Sequence, residues 1–214
     1  MSAVPSNRQD PRFAAGPPSR KPRWSERQAV LQGFLGVTLV DTFEVEGGTR
    51  PPVDGSDIDT VPTIGGGAQL KLGGERIDWG VEGLIGLSWR ANAVAFSSGG
   101  GGGTVAVDVN VLLVELYGGP FVSTFLGDNW RAYAGVGPLV QFADYDQQGA
   151  SIDGSGSGFG VGGYARGGIE YRWTNTTLFG LGVRTFDSTI DLSGGLGDLD
   201  LTGTQVYLTM TQGF

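Results

Sequence analysis

Between Ile77 and Asn92 the chain alternates with a strict period of two. Odd positions carry Ile77, Trp79, Val81, Ile85, Leu87 and Trp89, with Gly83 among them. Even positions carry Asp78, Glu82, Ser88, Arg90 and Asn92 with two glycines, and Leu84 is the one exception. That pattern turns every large apolar side chain to one face of an extended strand and is incompatible with a helical stripe. It is also far longer than the ~5–6 residues of an ordinary strand.

Seven further segments repeat the design. In 29–43, Leu35, Val37 and Leu39 oppose Gln32 and Thr38, with Phe34 out of pattern; in 61–72, Ile64, Ala68, Leu70 and Leu72 oppose Gln69 and Lys71. In 104–126, Val105, Val107, Val109, Val111 and Leu113 stand against Ala106, Asp108 and Asn110. There Gly118-Gly119-Pro120 predicts a bulge that reverses parity, because Glu115 would otherwise share the apolar face. The segments 130–142, 158–173, 177–187 and 201–214 set Trp130, Val136, Val140, Ile169, Leu181 and Leu208 against Arg131, Tyr133, Gln141, Arg166, Glu170 and Arg184. Pro138 costs the fifth segment a ladder bond. Only Ser25–Leu31 has room for a helical turn.

The connections alternate short and long. Gly73-Gly74-Glu75-Arg76, Gly127-Asp128-Asn129 and Thr174-Asn175-Thr176 have tight-turn chemistry. The stretches 45–60, 93–103, 143–157 and 188–200 are long and rich in Gly, Ser and Asp. Eight strands joined in this way predict an all-β fold: an eight-stranded antiparallel up-and-down transmembrane β-barrel, with short periplasmic turns and long extracellular loops.

Polarity decides between lipid and water outside. Forty of the 214 residues are glycine, against a usual ~7%, and they concentrate on the polar face, where a narrow lumen needs small residues. Trp79, Trp130 and Trp173 each adjoin a short turn on the apolar parity, while Trp89, Phe142 and Phe159 fall near the opposite end. Ten residues separate Trp79 from Trp89, roughly 23 Å along a tilted strand, close to the ~25 Å apolar band of outer-membrane barrels. With Phe214 these rings are expected at the membrane interfaces. Inside, Lys71, Asp78, Glu82, Arg90, Asp108, Arg131, Arg166, Glu170, Arg172 and Arg184 form the expected charge network, a salt-bridged plug in a lumen just wide enough for side chains. Interior glycines leave room for Tyr133, Tyr164 and Tyr207.

Charge divides the chain. Residues 1–27 carry six basic side chains against Asp10 and Glu26, half of the ten prolines, and few large apolar residues, which predicts a disordered basic arm before a barrel at 28–214. No apolar run in it reads as a secretory signal. Residues 28–214 carry eight basic and twenty acidic side chains, eleven of the acids within 45–60, 143–157 and 187–200; an acidic folded part argues against nucleic acid. The spacing of Asp54, Asp57 and Asp59 suggests a calcium loop but lacks the downstream glutamate, so a solvated acidic surface is the reading. The chain has no cysteine and no histidine, which removes thiolate and imidazole catalysis. A Ser–Lys unit would need Lys71, with no serine at a motif-like position. No enzyme activity and no cofactor is expected.

The span 29–214 resembles the small eight-stranded outer-membrane β-barrels, the OmpA- and OmpX-like group. The resemblance rests on Trp130-Arg131-Ala132-Tyr133-Ala134-Gly135-Val136-Gly137 after the Gly-Asp-Asn turn, and on a last segment with Val206, Leu208, Met210 and Phe214 at alternate positions. Gln212 departs from that row. The resemblance implies a bacterial outer-membrane location, contact with lipid and lipopolysaccharide, and recognition by the barrel-assembly machinery through the segment ending in Phe214. A structural or interaction role is expected, with residues 1–27 able to reach a periplasmic or envelope protein. A soluble lipocalin-like carrier and a small ion-conducting pore are the alternatives.

Overall fold

The computed structural model describes Trp24 and residues 27–47, 60–99, 103–148, 154–193 and 197–214; of these, the side chains of 42–47, 90–99, 103–109, 145–148, 154–155, 192 and 197 are not described. Eight strands follow in chain order: β1 (Ala29–Gly47), β2 (Thr60–Gly73), β3 (Ile77–Gly99), β4 (Gly103–Leu126), β5 (Trp130–Gln148), β6 (Gly154–Arg172), β7 (Thr177–Leu192) and β8 (Gly197–Gly213). Each pairs antiparallel with its neighbour in sequence, and β1 pairs with β8, closing the barrel. Closure leaves no unpaired sheet edge, the condition for spanning a bilayer with strands.

The tight turns lie where the sequence placed them. Gly74 (φ 114°) and Gly127 (φ 68°) adopt backbone angles that favour glycine. In the third turn the Thr174 hydroxyl accepts from the backbone N–H groups of Thr176 and Thr177, at 3.2 and 3.0 Å.

The other end differs from expectation. Three stretches expected as long loops are mostly paired strand: β3–β4 pairing continues to Gly99↔Gly103, β5–β6 to Gln147↔Gly154 and β7–β8 to Leu192↔Gly197. Gly, Ser and Asp have weak strand propensity, but in a long hairpin the ladder extends whatever the side chains, because every added pair satisfies backbone groups.

The polarity of the lower barrel is inverted relative to a soluble one. Val161, Leu208 and Trp173 are 71%, 62% and 72% exposed, whereas Glu170 and Arg184 are fully buried. An apolar band on this scale faces hydrocarbon, which excludes the soluble carrier. The fourth strand corrects the sequence reading. Leu113, Glu115, Tyr117, Phe121 and Ser123 point inward, while Leu112, Leu116 and Val122 point outward. The register with β3 is constant from Asp78↔Ser123 to Arg90↔Val111, so Gly118-Gly119-Pro120 makes no bulge there. Pro120 and Pro138 both face outward, and the β4–β5 ladder lacks pairs between Tyr117↔Leu139 and Phe121↔Gly135, where neither proline can donate. Leu113 breaks the apolar-out rule because the upper lumen is itself apolar: Leu113, Ala143, Phe186, Ile190, Leu199 and Leu201 form one buried cluster there.

Candidate functional site

The lumen gathers the chemistry. Alternation carries one side chain in every two inward, and within an eight-stranded wall these fill the interior in layers.

Nearest the tight turns, Arg131 Nη1 lies 2.9 Å from Glu170 Oε2, and Arg131 Nη2 donates to Gln69 Oε1 at 2.6 Å. Glu170 Oε1 also accepts from Gln32 Nε2 (2.8 Å) and the Thr211 hydroxyl (2.6 Å). Lys71 Nζ meets Asp78 Oδ1 at 2.5 Å, at the rim.

One layer higher, Arg166 grips Glu82 with both ends of its fork: Nε to Oε1 at 2.8 Å and Nη2 to Oε2 at 2.6 Å. Such bidentate pairing fixes orientation as well as charge. The third donor, Nη1, reaches Gln32 Oε1 at 2.7 Å. Glu82 also accepts from Gln69 Nε2 (2.9 Å) and Tyr164 Oη (3.0 Å). Gln32 and Gln69 each bond both layers, so the two pairs form one network.

A third layer centres on Glu115, which is paired with Arg184 and accepts from Gln141 Nε2 (2.8 Å) and Gln205 Nε2 (3.2 Å). The Ser188 hydroxyl bonds Gln141, and the Arg184 guanidinium lies 4.1 Å from the Tyr117 ring centroid. Above it, Thr38, Thr63 and Ser88 are linked through their hydroxyls, and then the apolar cluster begins. It encloses a cavity of about 30 Å³ lined by Val40, Val61, Val111, Leu113 and Phe186 among others, little more than one water occupies.

Glycines make the layers possible. A Cβ at Gly182 would sit 2.2 Å from the Tyr207 ring and 2.6 Å from Tyr133 Oη, and one at Gly135 would sit 2.3 Å from Glu82 Oε1. Tyr133 and Tyr207 thus lie across bare backbone, as the sequence suggested. Tyr133 also faces two guanidiniums, those of Arg131 and Arg166, at 5.6 and 5.1 Å.

Of the expected network, Lys71, Asp78, Glu82, Arg131, Arg166, Glu170 and Arg184 come together in these layers. Arg172 stands apart, its guanidinium 5.3 Å from the Phe125 centroid. Arg90 and Asp108 lie in strands whose side chains there are outside the described ones, and Asp54, Asp57 and Asp59 lie outside the described residues altogether. Among the described residues no group of three or more acids is placed to hold a metal. Sequence reasoning missed Glu115, the partner of Arg184; its signal was the flanking Tyr117 and Ser123, which share its parity and fit a lumen.

On the outside, Trp130 packs edge-on to Tyr171 (5.1 Å) and Trp173 to Phe179 (6.3 Å) beside the tight turns. Trp79 and Phe214 are exposed at that end. Phe142 and Phe159 pair at 5.0 Å towards the hairpins, where Trp89 is also exposed. Gln212, out of pattern in the sequence, accepts a 2.9 Å bond from the Thr177 hydroxyl of β7. Towards the hairpins the outer face turns acidic: Asp41, Asp144, Asp187, Asp191 and Asp198 are exposed, and Asp191 and Asp198 are cross-strand neighbours.

No protein-family model matches the chain, and no curated protein matches it in sequence. Solved structures do match in shape. The outer membrane protein OprG from Pseudomonas aeruginosa superposes with a TM-score of 0.57 at 17% identity, over 88% of this chain and 96% of that one. The outer membrane protease OmpT from Escherichia coli gives 0.50 at 7% identity, over 92% and 99%. Ail, the attachment invasion locus protein of Yersinia pestis, gives 0.48 at 12%, over 88% and 99%. The chain has the fold of the small outer-membrane β-barrels, and its exposed apolar band makes it a transmembrane barrel of the outer-membrane type.

Proposed function

We propose that this chain resides in the bacterial outer membrane as a closed, non-catalytic barrel. Its role is structural or interactive and is exercised through its outer surface. The observation that carries the reading is the stack of three buried Arg–Glu pairs, 131–170, 166–82 and 184–115, each with its carboxylate further bonded by glutamine, tyrosine or threonine. A carboxylate occupied on both oxygens by neutral and cationic donors is no general base, and Arg166, the central guanidinium, is locked in a fork on Glu82. Similarity to a protease in overall shape brings no activity with it, and this chain has no histidine.

The apolar band contacts lipid, with the tryptophans and Phe214 at headgroup level. The acidic outer face meets the lipopolysaccharide zone or a partner. The outward row Val206, Leu208, Met210 and Phe214 serves the assembly machinery, and residues 1–27 reach a periplasmic or envelope partner.

The test is planar-bilayer recording on the purified, refolded chain. A plugged lumen gives a quiet trace. Discrete, reproducible conductance steps would replace this reading with that of a small pore.

A further inference from the structure

We propose that Trp24 and Arg27 form a stopper that seals the lumen at the tight-turn end, separate from the charge layers above it. Both residues precede β1, yet they are 6% and 7% exposed. Arg27 N donates to Trp24 O (3.1 Å), and Lys71 N donates to Gln28 O (2.8 Å), holding the chain against β2. The Trp24 ring packs 6.4 Å from Phe125 of β4, and Arg27 lies 5.3 Å from the Trp24 centroid. Arg27 Nη2 donates across the mouth to Asn175 O, in the β6–β7 turn, at 3.2 Å. The two side chains therefore reach β4 and the β6–β7 turn, and the backbone beside them is tied to β2.

A seat is built for them. A Cβ on Gly213 would lie 2.5 Å from Arg27 Cδ and 2.8 Å from the Trp24 ring, so the last turn of β8 is bare where the stopper rests. Beside it is a cavity of about 30 Å³ lined by Trp24 and Arg27 together with Gln69, Lys71, Asp78, Ser123 and Arg131, of which Lys71 and Asp78 lie at the rim with 19% and 15% of their side chains exposed. The fastening is light. Among the described residues Trp24 Nε1 and Arg27 Nε have no hydrogen-bond partner, and there the side chains of the stopper are held by stacking and by the Arg27–Asn175 bond. It closes on a polar chamber whose floor is the Arg131–Glu170 layer, and it is the element of this end that can leave without breaking the sheet.

The chain has no cysteine, so a single introduced thiol reads access cleanly. Ser123→Cys places one in the chamber and Ser88→Cys places one above all three charge layers. The protein is refolded into lipid nanodiscs, open to solvent at both ends, and treated with a cationic, membrane-impermeant methanethiosulfonate. Native S123C should react slowly. Adding Trp24→Ala should raise its rate by about tenfold or more, as expected when a closed population becomes an open one. Gly213→Ala should do the same with Trp24 unchanged in the sequence, because the added Cβ fills the seat and displaces the ring. S88C should remain unreactive in all three backgrounds. Fast labelling of S123C with the stopper intact, or a rate indifferent to both W24A and G213A, overturns the proposal. Labelling of S88C as fast as S123C overturns instead the reading of a lumen plugged by its charge layers. Heat-modifiable migration confirms that each variant is folded before its rate is read.

Discussion

Replacing Glu82 with Gln tests whether the lumen is dry. Glu82 takes two bonds from Arg166, one from Gln69 and one from Tyr164, and both members of the ion pair have side chains with no exposed surface. The amide keeps the volume but loses the charge, and it turns an NH2 group towards a guanidinium. Arg166 is then an uncompensated buried cation. Breaking a buried pair from one side costs about 3–5 kcal/mol, whereas an exposed pair is worth about 0–1 kcal/mol. At a urea m-value of about 2 kcal/mol/M, the expected drop in the unfolding midpoint is about 1.5–2.5 M, read by tryptophan fluorescence and by heat-modifiable migration on gels. The double variant Glu82→Leu, Arg166→Met removes both charges and should recover most of the loss, since an apolar replacement of a buried pair is often neutral or better. A loss below about 1 kcal/mol for E82Q would show that water already solvates Arg166. The plug would then be a hydrated channel and the reasoning would fail.

Three further outcomes follow from the same geometry. Val81→Arg or Ile85→Arg puts a cation on the lipid face of β3, where both residues are exposed, and should cost about 2–4 kcal/mol in a bilayer; urea titration in vesicles measures it. Gly182→Ala drives a Cβ to 2.2 Å from the Tyr207 ring and should cost about 1–3 kcal/mol by overpacking, visible as a lower midpoint without loss of barrel circular dichroism. Phe186→Ala empties part of the upper apolar cluster, where Phe186 is 2% exposed, at about 3–5 kcal/mol. Because that cluster lies towards the hairpins, protease sensitivity there should rise before the band-shift on gels is lost.

The lower barrel was legible in the sequence because two independent signals coincide there. In β3, Trp79, Val81, Ile85 and Trp89 share one parity and Asp78, Glu82 and Ser88 the other, and the tryptophans mark where lipid ends. The layer partners were less legible. Parity says that Arg184 and Glu170 point inward, but which acid meets which base depends on barrel stagger, a property of eight strands together. Glu115 therefore pairs with Arg184, 69 residues away. Trp24 was hidden for another reason: its neighbours are Pro-rich and basic, and nothing local announces that a barrel mouth will receive it.

One polarity does not hold over the whole height of the barrel. Strand β7 shows why. Its odd positions face outward throughout, running Phe179, Leu181, Val183 and then Asp187, Asp191; its even positions face inward, running Gly180, Gly182, Arg184 and then Phe186, Ile190. Parity never changes, yet the greasy side crosses from outside to inside just above Arg184. Strand β8 repeats this in reverse order, with Leu199 and Leu201 buried and Asp198 exposed before Val206, Leu208 and Met210 face outward. No bulge is needed, because the solvent outside changes and the side chains do not. Where hydrocarbon surrounds the wall, apolar residues go out and the lumen must be filled by paired charges. Where water surrounds it, the same wall buries a hydrophobic core and shows acid outside. A run of valines and leucines in such a chain is therefore ambiguous by itself. Leu113 belongs to such a run, and it is the height at which polarity flips that places it inside.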